Sequence, residues 1–183
     1  MSERSVCVFC GARPGRRPTY MQAATDTGRM LAENGWRLVY GAGDVGLMGA
    51  TARAAQQAGG KTFGVIPAHL VSLEVGKRDL TQYVVTETMH ERKKVMFMNC
   101  DAIVVLPGGA GSLDEFFEVL TWRQLGLHNK PIYLLNTEEY WAPLMQVLDH
   151  VIAEDFAADN LKGFVHPVDT VQDLRIALRA ALS

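Results

Sequence analysis

The stretch Ala102-Ile103-Val104-Val105-Leu106-Pro107-Gly108-Gly109-Ala110-Gly111-Ser112-Leu113-Asp114-Glu115 decides the fold. Its opening apolar run is the signature of a strand buried on both faces of a parallel sheet. The glycines that follow make a tight loop, and from near Ser112 the chain becomes amphipathic with helical period. Strand, glycine loop and helix in that order bring backbone N–H groups and the positive end of a helix together, which is an anion site. A phosphate fits such a loop. A nucleoside triphosphatase loop would end in Gly-Lys-Ser/Thr, and no lysine stands between Pro107 and Leu127.

Outward from this unit, strands are expected near Val6 to Cys10, Arg37 to Tyr40, Thr62 to Ile66, Gln82 to Val85, Ala102 to Leu106 and Ile132 to Leu135. Helical patterns lie between most of them. Thr19 to Asn34 stops at Asn34-Gly35, and alanine-rich Leu47 to Ala58 stops at Gly59-Gly60. Met89 to Met96 begins a helix that leads into the decisive strand, and Trp141 to Ile152 and Val171 to Leu182 close the chain as two further helices. This alternation predicts an α/β fold, a Rossmann-like three-layer sandwich with a mainly parallel sheet. At 183 residues, one nucleotide-binding domain over 1–183 is expected. Open α/β sheets bind ligands at the carboxyl ends of their strands, so the loops Gly11 to Gly15, Gly41 to Gly49 and Pro107 to Gly111 are expected to share a crevice. The irregular stretch His69 to Leu80 is a candidate loop beside it.

A formal net charge of −2, from 18 basic and 20 acidic residues, gives no general drive toward nucleic acid or anionic lipid, and neither is expected as a partner. Met1-Ser2-Glu3-Arg4-Ser5 leads straight into a strand without the regions of a signal peptide, and no run approaches the roughly 18 apolar residues of a membrane span. A cytoplasmic location is expected. Cys7 and Cys10 have C-x-x-C spacing, yet on a strand they point to opposite faces, and the five histidines are scattered. No metal and no cofactor is expected. Gly41-Ala42-Gly43-Asp44-Val45-Gly46 satisfies G-x-G-x-x-G but lacks the acidic residue about 20 positions later that would hold a dinucleotide ribose.

Within the decisive stretch, Ser112 reads as an N-cap, with Asp114 and Glu115 in the first turn meeting the helix dipole. A helix over Leu113 to Leu127 puts Leu113, Phe116, Phe117, Leu120 and Leu127 toward the sheet. Glu115, Val119, Trp122 and Gly126 fall on the other side, and a face carrying valine and tryptophan is expected to be covered by a second subunit. Glu115 then sits at the edge of an enclosed crevice. Upstream, Arg92 and Lys93 flank Met89 and Met96. They read either as a solvated basic turn or as cations facing the crevice, whereas Lys94 reads as solvated.

With these residues in view, the chain resembles the LONELY GUY family of cytokinin riboside 5′-monophosphate phosphoribohydrolases over nearly its whole length. Pro107 to Glu115 matches P-G-G-x-G-T-x-x-E, and Met89 to Lys93 matches M-H-x-R-K. Val8 to Gly11, Tyr40 to Gly49 and Thr121 to Gly126 support the match. The resemblance implies hydrolysis of the N-glycosidic bond of adenosine 5′-monophosphate or its N6-substituted forms. It implies that Gly108, Gly109, Gly111 and Ser112 hold the phosphate, that Arg92 and Glu115 are the catalytic pair, and that Met89, Lys93, Thr121 and Glu74 help bind the nucleotide. It also implies a homodimer or larger assembly. A second class on the same fold is a non-catalytic nucleotide or molybdopterin-type carrier, which would need the phosphate loop but not both Arg92 and Glu115. Three departures from the family pattern are Ser112 for threonine, Ala42 for glycine and Ala12 for serine. Ala42 restricts its loop if the backbone there takes positive φ.

Overall fold

The structure is a computed structural model describing residues 3–71, 77 and 79–183. Among these residues, seven strands form one all-parallel sheet. They are β1 (Ser5–Phe9), β2 (Arg37–Tyr40), β3 (Thr62–Pro67), β4 (Gln82–Thr86), β5 (Ala102–Val105), β6 (Ile132–Leu135) and β7 (Val165–Val168). Among the described residues, six α-helices connect or follow them: α1 (Pro18–Glu33), α2 (Gly46–Gln57), α3 (Met89–Met98), α4 (Ala110–Gln124), α5 (Ala142–Ala153) and α6 (Val171–Leu182). The Rossmann-like reading holds. β7 is an addition to it: Val165-His166-Pro167-Val168 has neither an apolar run nor a free N–H at Pro167, and it lies at the sheet edge, where proline is tolerated.

Alternation along the inner strands splits the core in two. Val6, Val8, Leu38, Tyr40, Ala102, Val104 and Leu106 pack beneath α1, α2 and α6. Cys7, Phe9, Val39, Phe63, Val65, Ile103 and Val105 pack on the opposite side beneath α3, α4 and α5. Cys7 and Cys10 accordingly fall into different cores. Each inner strand is buried on both faces, which is why its sequence is a continuous apolar run.

The strand order β4-β3-β2-β1-β5-β6-β7 places the site. The chain builds outward from β1 in one direction through β4, then returns to the other side of β1 with β5. The loops after β1 and β5 therefore leave the sheet side by side at its switch point, the usual ligand crevice of such sheets. Among the described residues, no helix is long and apolar enough to cross a membrane.

Helix α4 corrects two sequence expectations. It begins at Ala110 with Gly109 as N-cap, so Ser112 is an interior residue of the first turn, and Asp114 and Glu115 lie in the second. Its core stripe is Phe116, Val119 and Leu120, the i, i+3, i+4 set. Val119 is 2% exposed, whereas Phe117 is 39% exposed and Leu127 68%. Leu127 lies past the helix end, beyond Gly126 in the left-handed region (φ +74), so helical phase does not govern it.

Candidate active site

Three strand-end loops are stitched together by backbone hydrogen bonds. Gly11 N–H donates to the Pro107 carbonyl at 3.0 Å, and Leu47 N–H donates to the Gly11 carbonyl at 3.0 Å. Gly46 makes the second junction possible: it is left-handed (φ +57), and a Cβ there would lie 2.3 Å from the Ala12 carbonyl carbon. Above these loops opens a cavity of about 650 Å³. The shared crevice expected from sequence is present.

The glycines of the 108–111 turn are not equivalent. A Cβ on Gly108 would lie 2.0 Å from the Ser112 Oγ and 3.0 Å from the Gly11 nitrogen, so packing alone demands glycine there. At Gly109 and Gly111 nothing beyond the adjoining backbone lies within 4 Å of a Cβ position, and neither has a positive φ. Neither packing nor backbone geometry requires them to be glycine. Both line the cavity at the amino end of α4, where unsatisfied N–H groups and the helix dipole favour an anion.

Arg92 is brought to the same cavity by α3. Thr88 and Glu91 form a reciprocal capping box, with Glu91 N–H donating to Thr88 Oγ1 and Thr88 N–H to the Glu91 carboxylate, both at 3.2 Å. That cap fixes the helix start and turns Arg92, Lys93 and Met96 inward while Lys94 stays exposed. Arg92 is only 5% exposed. Its Nε donates to the Val65 carbonyl at 3.0 Å and its Nη2 to the Gly41 carbonyl at 2.5 Å, which holds the guanidinium against the ends of β3 and β2. Met89 lies beside it, with Sδ 3.9 Å from Nη1. Glu115 lines the cavity from α4.

Arg92, Glu115, Met89, Gly108, Gly109, Gly111 and Ser112 thus share one cavity. Lys93 and Thr121 do not line it. Lys93 Nζ lies 2.9 Å from the Asp114 carboxylate and 3.3 Å from that of Glu118, tying α3 to α4. Burial alone would lower its pKa, but the two carboxylates outweigh burial and raise it. Asp114 is therefore the anchor for this lysine, a role helix position alone does not reveal. The Thr121 hydroxyl donates to the Phe117 carbonyl at 2.7 Å on an exposed face of α4. Glu74 lies outside the described residues.

The cavity also holds residues to which sequence reading gives no role in it. Arg13, Arg16 and Arg17 come from the β1–α1 loop, whose position was anticipated, and the run of arginines was the available signal. Tyr140 follows β6 and donates its hydroxyl to the Gly108 carbonyl at 2.6 Å; nothing local to its sequence marks it. Cys10 lines the cavity too, and burial, with the nearby Glu115 charge adding to it, pushes its thiol far above the usual range. A thiol held neutral in this way is a poor nucleophile. Among the described residues, no group of three or more histidine, cysteine or acidic side chains is disposed to hold a metal ion.

Comparison with known proteins adds to this geometry. A family model described as possible lysine decarboxylase matches residues 48–178. A cytokinin riboside 5′-monophosphate phosphoribohydrolase of Rhodococcoides fascians is 44% identical over 97% of this chain and 90% of its own length. The protein of that name from Oryza sativa subsp. japonica is 39% identical over 96% of this chain and 72% of its own. Among solved structures, the molybdenum cofactor carrier protein of Chlamydomonas reinhardtii superposes with a TM-score of 0.73 at 21% identity, covering 99% of both chains. The molybdenum cofactor binding protein of Rippkaea orientalis reaches 0.74 at 20% identity, covering 100% of this chain and 99% of its own. At those identities the two structures attest the fold alone. The sequence relatives, by identity and coverage, go further: the chain belongs to the LOG family of cytokinin riboside 5′-monophosphate phosphoribohydrolases, which the possible-lysine-decarboxylase model covers.

Proposed function

We propose that this chain hydrolyses the N-glycosidic bond of adenosine 5′-monophosphate or its N6-substituted cytokinin forms, releasing the free base and ribose 5-phosphate. One observation carries the reading: a buried arginine, a carboxylate and a helix-capping glycine turn line one cavity at the switch point of the sheet. The names of the 44% and 39% identical relatives support it.

In this reading Gly109, Gly111 and the first turn of α4 receive the 5′-phosphate, with Gly108 and Ser112 shaping the turn. Glu115 faces the ribose. As the bond from C1′ to the purine nitrogen stretches, positive charge grows on the sugar, and an ionised carboxylate stabilises it and orients the attacking water. Water delivers hydroxide to C1′ and its proton ends on the departing base, so the reaction needs no other reactant. Arg92 offers a rigid fork of donors to charge developing on the leaving base or to the phosphate. As an acid it is too weak to serve as a proton donor near neutral pH. Met89 lines the wall, Lys93 holds α4 in place through Asp114, and only the family resemblance supports a nucleotide-binding role for Glu74.

We place a second copy of the chain against the exposed side of α4. Phe117, Thr121 and Leu125 lie four residues apart there, with Leu127 and Met98 also exposed. Thr121 would then meet nucleotide only in the homodimer. The net charge of −2 and the three free cysteines fit a cytoplasmic enzyme without nucleic-acid or membrane partners.

The test is incubation with adenosine monophosphate, isopentenyladenosine monophosphate and adenosine, with free base measured by chromatography. Release is expected from the monophosphates only, and Glu115→Gln lowers it by at least about 10²-fold. Tight nucleotide binding without any base release would overturn the reading in favour of a carrier.

A further inference from the structure

Tyr140 stands in an unusual setting. It ends a short 3-10 turn, Thr137–Glu139, that follows β6. Glu138 and Glu139 are both left-handed there, at φ +51 and +59, a conformation that non-glycine residues rarely adopt and that concentrates at functional sites. The turn is pinned from several directions. Arg17 Nη1 lies 2.6 Å from the Glu138 carboxylate, and hydrogen bonds from Thr19 and Arg17 hold that carboxyl below its usual range. The Asn136 side chain accepts from Trp141 N–H at 2.8 Å, and Asn136 N–H donates to the Val168 carbonyl at 2.8 Å. The Tyr140 ring packs edge-on against Tyr20 and Trp141.

The outcome is two donors planted on the end of β5 and on the loop that joins it to α4. Trp141 Nε1 reaches the Val105 carbonyl at 3.3 Å, and the Tyr140 hydroxyl reaches the Gly108 carbonyl at 2.6 Å. Gly108 and Gly109 share a planar trans peptide, so a bond that fixes the Gly108 C=O also fixes the Gly109 N–H, which points the opposite way. The same bond polarises the peptide and makes that N–H a stronger donor. Gly109 is otherwise unrestrained by side-chain packing, with nothing beyond the adjoining backbone within 4 Å of a Cβ position.

We propose that Tyr140 is a positioning residue for phosphate recognition: through the Gly108 carbonyl it orients the Gly109 N–H at the amino end of α4. This rests on the reading of the 108–111 turn as the phosphate site. Tyr140→Phe keeps the ring contacts and removes only the hydroxyl. Tyr133→Phe is the matched control, because its hydroxyl also donates to a backbone carbonyl, that of Ala177 at 3.2 Å, and Tyr133 does not line the cavity.

The experiment is calorimetric titration with ribose 5-phosphate, kinetics with adenosine monophosphate, and the amide NMR shift of Gly109. Tyr140→Phe is expected to weaken ribose 5-phosphate binding about five- to tenfold, the net worth of one hydrogen bond, and to raise KM in parallel, with kcat staying within about twofold of wild type. The Gly109 amide shift moves in this variant and stays in Tyr133→Phe. Wild-type binding with an unchanged affinity and Gly109 shift in Tyr140→Phe overturns the inference alone. A wild-type chain that binds no ribose 5-phosphate overturns the proposed phosphate site and this inference with it.

Discussion

Replacing Gly41 by alanine tests whether the catalytic role proposed for Arg92 depends on its placement rather than its mere presence. Residue 41 is not left-handed, so alanine is conformationally admissible. Its methyl would lie 2.3 Å from Arg92 Nη2 and 3.1 Å from Cζ. An ordinary contact needs roughly 3.5 Å, so the guanidinium must retreat by about 1.2 Å. It cannot do so and keep its bond to the Gly41 carbonyl, and the Val65 bond is stretched with it. A hydrogen bond to a charged group is worth about 1.5–3 kcal/mol, and burial keeps water from replacing it easily, so the loss should be about 3 kcal/mol. For a chain of this size that lowers Tm by about 6–12 °C. A misplacement of about 1 Å can cost 10²-fold in rate, and kcat for base release should fall by that order. Ribose 5-phosphate affinity then separates the two roles proposed for Arg92: it holds if the guanidinium serves the leaving base and falls if it serves the phosphate. The assay is paired: thermal melting and base release on the same preparation. A Gly41→Ala protein with kcat within about threefold of wild type and an unshifted Tm would refute the claim that residue 41 positions the cation.

Two further perturbations follow from the glycine turn and from His128. Gly108→Ala should destabilise the protein, because its methyl collides with Ser112 and Gly11, whereas Gly109→Ala and Gly111→Ala should melt like wild type and lose about tenfold or more in ribose 5-phosphate affinity; equal melting of all three would refute the distinction. His128 donates Nε2–H to the Val119 carbonyl at 2.8 Å and accepts Lys130 N–H on Nδ1 at 3.1 Å, and burial first, then the charges of Arg123 and Lys130, lower its pKa below 6.5. The unfolded chain therefore binds more protons in that range, so this stabilisation is complete above pH 6.5 and is lost as pH falls through the folded value. Urea midpoints should drop between pH 7.5 and 5, and His128→Gln should flatten the drop; an equally steep drop in the variant would rule out this histidine as its source.

How much was legible in the sequence depended on how local the determining contact is. The inner strands were plain because each is buried on both faces and must be continuously apolar. β7 was hidden because an edge strand is under no such constraint and carries His166 and Pro167. The glycine turn and Glu115 were readable because loop and helix end are adjacent in sequence. Val119 reads as outward from sequence because counting Phe117 with the sheet-facing residues turns the stripe away from it, whereas Phe117 is exposed and Phe116, Val119 and Leu120 form the buried set. Arg92 reads two ways from sequence because its anchors lie 27 and 51 residues away, at Val65 and Gly41. Tyr140 had no sequence signal at all: its partner, Gly108, is 32 residues distant, and only the pairing of β5 with β6 brings them together.

The departure at Ala42 shows how this chain accommodates a change behind its cation. Ala42 is left-handed at φ +58, as its replacement of a family glycine made worth asking, and it is fully buried. Its methyl is accepted because residue 64 on β3 is glycine: a Cβ at Gly64 would lie 2.8 Å from the Ala42 Cβ and 2.3 Å from Leu80 Cδ1. A left-handed alanine costs about 1–2 kcal/mol. Against this, burial of the methyl contributes about 0.8 kcal/mol, and the stiffer unfolded chain contributes about 0.4–1 kcal/mol relative to glycine. At positive φ the strain exceeds the unfolded-state gain, so alanine carries a small net cost, which the space left by Gly64 keeps from growing. What it changes is stiffness. Residue 42 directly follows the carbonyl that accepts from Arg92 Nη2, and its own carbonyl accepts Lys77 N–H at 3.0 Å. A glycine at 42 would leave that peptide freer to rotate, and alanine restricts it. The departure therefore acts on the support of the guanidinium rather than on the turn proposed to take the phosphate, where Gly109 and Gly111 stay open.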